Sequence, residues 1–226
     1  MKHRLLTCLL AVATASASGE TPSGEEILRR VEENFQGIDD YTVALDITVD
    51  LERLKVPPMH VMMYFKQPDR VHFSSRGFAL LPKESFAFTR AGLRTNFDVE
   101  KVEEHSDSAG LRYALTLKPN KDKTRLRRLV LTVNPEHWLP ERLAAPQLDG
   151  RTMGATFRHE QVDGRWLPAA LDVSFAAPDL PADEPALPGT PRQPVPRNGS
   201  ISIRFSGYRL NTGLPDSLFN DTARDH

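Results

Sequence analysis

The stretch Tyr41-Thr42-Val43-Ala44-Leu45-Asp46-Ile47-Thr48-Val49-Asp50-Leu51 is apolar at every second position, with smaller or polar residues filling the slots between. On an extended chain successive side chains point to opposite faces, so this period marks a strand with one dry and one wet side. After Leu54-Lys55-Val56-Pro57-Pro58 the alternation resumes in Met59, Val61, Met63 and Phe65, turns at Gln67-Pro68-Asp69, and continues in Val71 and Phe73. Three antiparallel strands sharing one apolar face follow. The remaining segments must extend that sheet or cover it.

Upstream, Ser23 and Glu26 have capping-box spacing, and Ile27, Leu28, Val31 and Phe35 then recur on one helical face until Gly37. The spacing predicts one amphipathic helix of about four turns, lying on the apolar face of the sheet. Downstream, Ser74 to Asn96 follows neither period and reads as loop plus a short strand. Alternation returns at Phe97 and Val99, in Leu111 to Leu117, in Leu129 to Val133, from Trp138 to Ala144, in Ala155 to His159, in Trp166 to Phe175 and in Ile201 to Phe205. Asp163-Gly164 is a hairpin turn by composition, and Leu214 to Phe219 suits a short helical turn. The total is nine to eleven strands and one helix, a mainly β (α+β) chain.

The 226 residues suit a single domain, with 39% hydrophobic and 26% charged residues. A formal net charge of −1 does not suit a general nucleic-acid binder. At the N-terminus, Lys2 and Arg4 precede an apolar run from Leu5 to Ala13, and small residues at Ala13, Ala15 and Ala17 offer cleavage sites. This is the layout of a secretory signal peptide spanning 1–17, followed by one domain over 18–226. Its removal takes the net charge from −1 to about −3 and takes away Cys8, the single cysteine. Thr7 before Cys8, and the seven residues that precede it, do not suit lipidation there. An exported, unanchored protein is expected.

Familiar chemical motifs are missing: the sequence has no glycine-rich phosphate loop, Gly-x-Ser-x-Gly elbow, His-Glu-x-x-His or cysteine cluster. His60 and His72 fall on the polar parity of neighbouring strands and could face each other, as a surface pair rather than a metal site. His159-Glu160 has no second ligand at metal spacing, and Asp39-Asp40 reads as a turn. The expectation is no enzyme, no metal and no cofactor. Lys118, Lys121, Lys123, Arg125, Arg127 and Arg128 gather at one hairpin tip, either as a solvated edge or as a docking point for an acidic partner. Residues 178–199 hold seven prolines in 22 positions and read as an extended loop. Met59 and Met63 lie on the dry parity, with Met62 on the other.

One four-turn helix cannot cover a sheet of that size. Either the sheet closes into a filled barrel, or it stays open around an apolar hollow that a lipid tail could occupy. At this point the sequence resembles a known family. Glu25 to Phe35, the Tyr41-Thr42 strand and Phe65-Lys66-Gln67-Pro68-Asp69-Arg70-Val71 look like the opening of the LolA/LolB-like outer-membrane lipoprotein carriers. Trp166-Leu167-Pro168 and Asn211 to Phe219 resemble the family's later strand and end. The resemblance implies an incomplete antiparallel β-barrel with a helical lid and a cavity for lipoprotein acyl chains, working in the periplasm. It also implies an arginine that latches the lid, for which Arg53 is the placed candidate. The proline-rich loop has no counterpart in it.

The leading expectation is a monomeric periplasmic carrier of lipid or lipoprotein acyl chains, serving inner- or outer-membrane transfer proteins. Val43, Leu45, Ile47, Val49, Leu51, Met59, Val61, Met63, Phe65, Val71 and Phe73 line the cavity, and Ile27, Leu28, Val31 and Phe35 close it. The alternative is an envelope regulatory or scaffold domain that docks a protein through Lys121, Lys123, Arg125, Arg127 and Arg128 or through the proline-rich loop.

Overall fold

The computed structural model describes residues 21–52, 54–68, 70–74, 93–120, 128–146, 152–176 and 198–223. Segment 1–17, read above as a signal peptide, Arg53, the four hairpin-tip residues Lys121, Lys123, Arg125 and Arg127, and most of segment 178–199 lie outside them.

Helix α1 is Gly24–Glu33, and the Ser23 side chain accepts from the Glu26 amide at 3.2 Å, as the capping spacing requires. Ten residues make fewer than three turns, so the four-turn expectation is too long. Beyond Glu33 the backbone tightens: Phe35 and Gln36 donate three residues back, to Glu32 and Glu33, and Gly37 ends the run at φ 72°. Phe35 therefore reaches the core from a turn. A second helical turn, α2 (Leu93–Asn96), stands where loop plus short strand was expected; Leu93 is buried and the rest of that region up to residue 92 is not described.

Eleven strands form one antiparallel sheet: β1 (Asp40–Leu51), β2 (Leu54–Lys55), β3 (Met59–Lys66), β4 (Arg70–Phe73), β5 (Phe97–Asp107), β6 (Gly110–Pro119), β7 (Leu129–Asn134), β8 (Leu139–Pro146), β9 (Thr152–Val162), β10 (Arg165–Ala176) and β11 (Asn198–Leu210). The order is β4-β3-β1-β11-β10-β9-β8-β7-β6-β5, with β2 folded back on the end of β1. Most strands pair with their sequence neighbours; the exceptions are β4 and β5, which follow one another in the chain yet lie at opposite ends of the sheet, and β11, which inserts between β1 and β10 and joins the first strands to the rest. β4 and β5 remain the two ends, so the sheet is an incomplete barrel, as the sequence led us to expect. Asp163 and Gly164 both take positive φ, the mirror-image turn that matches strand twist. The register corrects one reading: Tyr64, not His60, sits opposite His72, while His60 pairs across β1 with Asp46.

The apolar parities of the strands and the apolar stripe of α1 merge into one buried cluster. Among the described residues Asp40 is the one buried charged side chain, 3% exposed. Its carboxylate accepts from the Thr212 amide (2.8 Å) and hydroxyl (3.1 Å), the Gly213 amide (2.9 Å) and the Leu214 amide (3.1 Å). Asn211 completes the clasp, its side chain accepting from the Asp39 amide and donating to the Gly37 carbonyl, both at 2.8 Å. The expected turn role of Asp39-Asp40 thus becomes a tie between the start of β1 and the end of the chain. Burial pushes the Asp40 carboxyl upward, but the donors from Leu214, Thr212 and Gly213 outweigh it and hold the group below its ordinary value.

Asp40→Asn is expected to lower stability at pH 7 by about 1–3 kcal/mol, because it turns a charge-assisted acceptor into a poorer one facing the same donors. Since the folded carboxyl titrates lower than the unfolded one, its contribution is full above the ordinary value of 3.8 and disappears as pH falls through the folded value. Urea melts of both proteins from pH 7 to pH 2 should show the gap narrowing at the acid end.

Candidate functional site

The candidate site is the apolar face of the sheet together with α1. Val43, Leu45, Ile47, Val49, Val61, Met63 and Phe65 are buried, and Leu51, Met59, Val71 and Phe73 are partly buried against the same cluster. Ile27, Leu28, Val31 and Phe35 belong to it as well, so the structure brings all fifteen sequence-chosen residues together. The far half of the sheet contributes equally: Leu115, Leu117, Leu129, Leu131, Leu171 and Ile203 are among its most deeply buried members. Their alternation was read from the sequence, but nothing local says that β6, β7, β10 and β11 turn the same face inward as β1. Only the pairing order does.

Helix α1 is held by close packing at its start and by polar contacts towards its end. At its start, a Cβ on Gly24 would lie 2.3 Å from Val99 of β5, so only glycine admits this approach. In its last turn, Glu32 accepts from the Arg94 amide (2.9 Å) and from the Arg94 Nε (2.7 Å). At its end, the Asn34 side-chain amide donates to the carbonyls of His137 and Trp138, both at 3.1 Å, and the Arg30 guanidinium lies 4.7 Å over the Trp138 ring. Trp138 in turn stacks on Tyr113, rings 6.0 Å apart and 12° from parallel, and Arg165 donates to the Gln36 carbonyl. On the outer face, Arg29 and then Arg30 pull the Glu26 carboxyl down to about 2.

Arg53, proposed as the latch, lies outside the described residues; among those described, Arg30, Arg94 and Arg165 make the contacts. Sequence reading missed them because each partner lies 60 residues or more away in the chain, or is a backbone carbonyl. Trp138 gave a partial signal as an aromatic after the Asn134-Pro135-Glu136 turn. It is a turn residue at φ 54° rather than the start of β8, and that backbone delivers its ring to the helix.

His159 lies on the parity of Ala155 and Phe157, both buried. Burial pushes its imidazole down to about 4, against the pull of the Glu141 carboxylate. It is therefore neutral at pH 7. Among the described residues no three His, Cys, Asp or Glu side chains gather as a metal site. Of the basic hairpin tip, Arg128 is described, and its Nε donates to Glu100 at 2.7 Å.

No family model matches the sequence, and no curated protein does. Solved structures match it well in shape. A LolA superfamily protein from Nitrosomonas europaea aligns at TM-score 0.58 and 14% identity over 88% of this chain and 98% of its own. A putative outer membrane lipoprotein-sorting protein domain from Vibrio parahaemolyticus aligns at 0.59 and 11% over 88% and 96%. A DUF1329 family protein from Desulfovibrio piger aligns at 0.57 and 18% over the same shares. The resemblance read from the sequence is thus borne out as a shared fold.

Because the folded His159 resists protonation, stability is expected to be full above the ordinary histidine value of 6.5 and to fall as pH drops from there toward 4. His159→Gln should flatten that limb, measured as melting temperature between pH 7.5 and pH 4, while leaving the lower-pH limb of Asp40 in place.

Proposed function

We propose that this protein is a carrier of lipid or lipoprotein acyl chains in the periplasm, with α1 as the lid over its apolar face. The observation that carries the reading is the way the lid is built: an apolar stripe buried in the cluster, with its polar contacts gathered at the C-terminal end and outer flank. An acyl chain that displaced Ile27, Leu28, Val31 and Phe35 would exchange one apolar contact for another. Each sheltered methylene contributes about 0.8 kcal/mol, so a tail of about twelve carbons outweighs the few net hydrogen bonds, each about 1 kcal/mol, that lid release gives up. No catalytic group is required by this reading.

The fold neighbours support the cargo class: one is described as a LolA superfamily protein and another as a lipoprotein-sorting domain. In this reading segment 1–17 exports the chain, one domain over 18–226 does the work, and the protein acts as a monomer between donor and acceptor transfer proteins of the two membranes. The eleven lining residues on β1, β3 and β4 and the four lid residues keep the roles assigned from the sequence.

The test is native mass spectrometry of protein purified from its periplasm, with organic extraction of what travels with it. A phospholipid or acylated protein near one-to-one is expected, and Ile47→Asp or Met63→Asp should abolish it; a folded variant that keeps its lipid would sink the reading. Trp138→Ala removes the ring under Arg30 and leaves the four stripe residues of α1 in place. It should speed uptake of a fluorescent fatty acid several-fold in stopped flow, at a stability cost above the roughly 1 kcal/mol of the cation–π pair, because the ring also packs on the cluster and stacks on Tyr113.

A further inference from the structure

The rest of the chain treats the two ends of the open sheet differently. At the β4 end, Arg70 reaches Asp216 at 3.1 Å and lies 5.5 Å over the Phe219 ring, and Lys66 donates to the Leu214 carbonyl at 2.6 Å. The C-terminal 3₁₀ helix Asp216–Ala223 thereby packs beside β4. At the other end, β5 pairs with β6 along its length, and no described strand pairs with its outer side. Lys101 and every residue from Glu103 to Asp107 are exposed. Among the described residues the Thr21 hydroxyl donates to Glu104 at 3.2 Å beside it, and an edge that carries no partner strand presents a row of backbone donors and acceptors to an extended chain.

The charge on β5 selects what can come. Asp98, Glu100, Glu103, Glu104 and Asp107 stand against Lys101 alone among the fully charged side chains. A second copy of β5 would bring five more carboxylates against these five with one lysine on each strand, an excess of like charge that disfavours pairing between copies. Cations do settle on this strand: Arg128 holds Glu100 at 2.7 Å and Lys101 holds Glu103 at 2.8 Å. We propose that the outer edge of β5, from Asp98 to Asp107, is a docking site for an extended lysine- and arginine-rich segment of a partner protein, which adds to the sheet as a further strand. Backbone hydrogen bonds would supply the pairing and the acidic side chains the selection. The surface lies outside the apolar face, so it stands whether or not the lipid reading holds.

The probe is a fluorescein-labelled peptide as long as β5, alternating lysine or arginine with valine or threonine, titrated into the full chain by anisotropy. Two comparison peptides accompany it: one of equal charge with alternate backbone nitrogens methylated on the pairing side, and one with glutamate in place of every cation. Saturable binding of the parent is expected, with a loss of about tenfold or more on methylation, the equivalent of one net hydrogen bond, and no binding of the acidic peptide. Glu103→Lys combined with Asp107→Lys, both on exposed positions, should weaken the parent by about tenfold while leaving the melting temperature unchanged. Failure of the parent to bind, undiminished binding to that variant, or equal binding of the methylated peptide would overturn the proposal, the last because charge alone would then explain the contact.

Discussion

An antiparallel sheet whose strands are dry on one face has to bury that face, and here it does so without closing. The order β4-β3-β1-β11-β10-β9-β8-β7-β6-β5 leaves β4 and β5 unjoined, yet side chains from β1 and β3 share one buried cluster with those of β6 and β7. That is achieved only if the sheet curls far enough to bring its two halves around a common centre. The centre is α1, whose stripe of Ile27, Leu28 and Val31 is fully buried. Curvature, strand insertion and helix placement are therefore one solution to one problem. The last strand in sequence, β11, makes it possible by pairing with β1 on one side and β10 on the other.

Most of the sequence stretches that resemble lipoprotein carriers meet at one structural junction. Lys66 and Arg70 from the Phe65 to Val71 segment contact Leu214, Asp216 and Phe219 from the closing segment. Asp40 and Asn211 tie that same closing segment to the start of β1, and Gln67 donates to the Ile38 carbonyl at 2.7 Å. The residues that carry the likeness thus hold the β1, β3, β4 and C-terminal corner together. They fix the corner of the scaffold that supports the apolar face.

Legibility followed the range of the interaction. Period-two alternation is a local property, so the strands and the burial of Val43, Leu45, Ile47 and Met63 could be read directly. The N-terminus of α1 was equally plain, since Ser23 and Glu26 lie within one turn. Its C-terminus was misjudged because Phe35 keeps the apolar spacing while the backbone has already tightened into a turn. The lid contacts were hidden for a different reason. Asn34 donates to carbonyls more than a hundred residues away, and no residue type announces that. The His60 and His72 pairing failed on register: β4 is four residues long and reaches only as far along β3 as Met63. Parity puts both histidines on one face but does not set how far along the strands they meet.

The lid is anchored unevenly, and this bears on how it could open. Its N-terminal end is a close contact between Gly24 and Val99, preceded by a single exposed hydrogen bond from the Thr21 hydroxyl to Glu104 at 3.2 Å. Its C-terminal end carries the Asn34 hydrogen bonds, the Arg30 to Trp138 contact and the Arg165 bond to Gln36. Past that end the chain runs within a few residues into β1, whose first residues are clasped by Asn211 and Thr212. A rigid helix tied by several directional bonds at one end and held mainly by apolar packing at the other moves most at the apolar end. Lifting its start away from β5 breaks apolar contacts, which an acyl chain can replace, and leaves the polar anchor intact. Lifting its other end would break directional bonds that a hydrocarbon cannot replace. In the proposed carrier the asymmetry therefore favours acyl-chain entry between α1 and the β5–β6 side of the sheet.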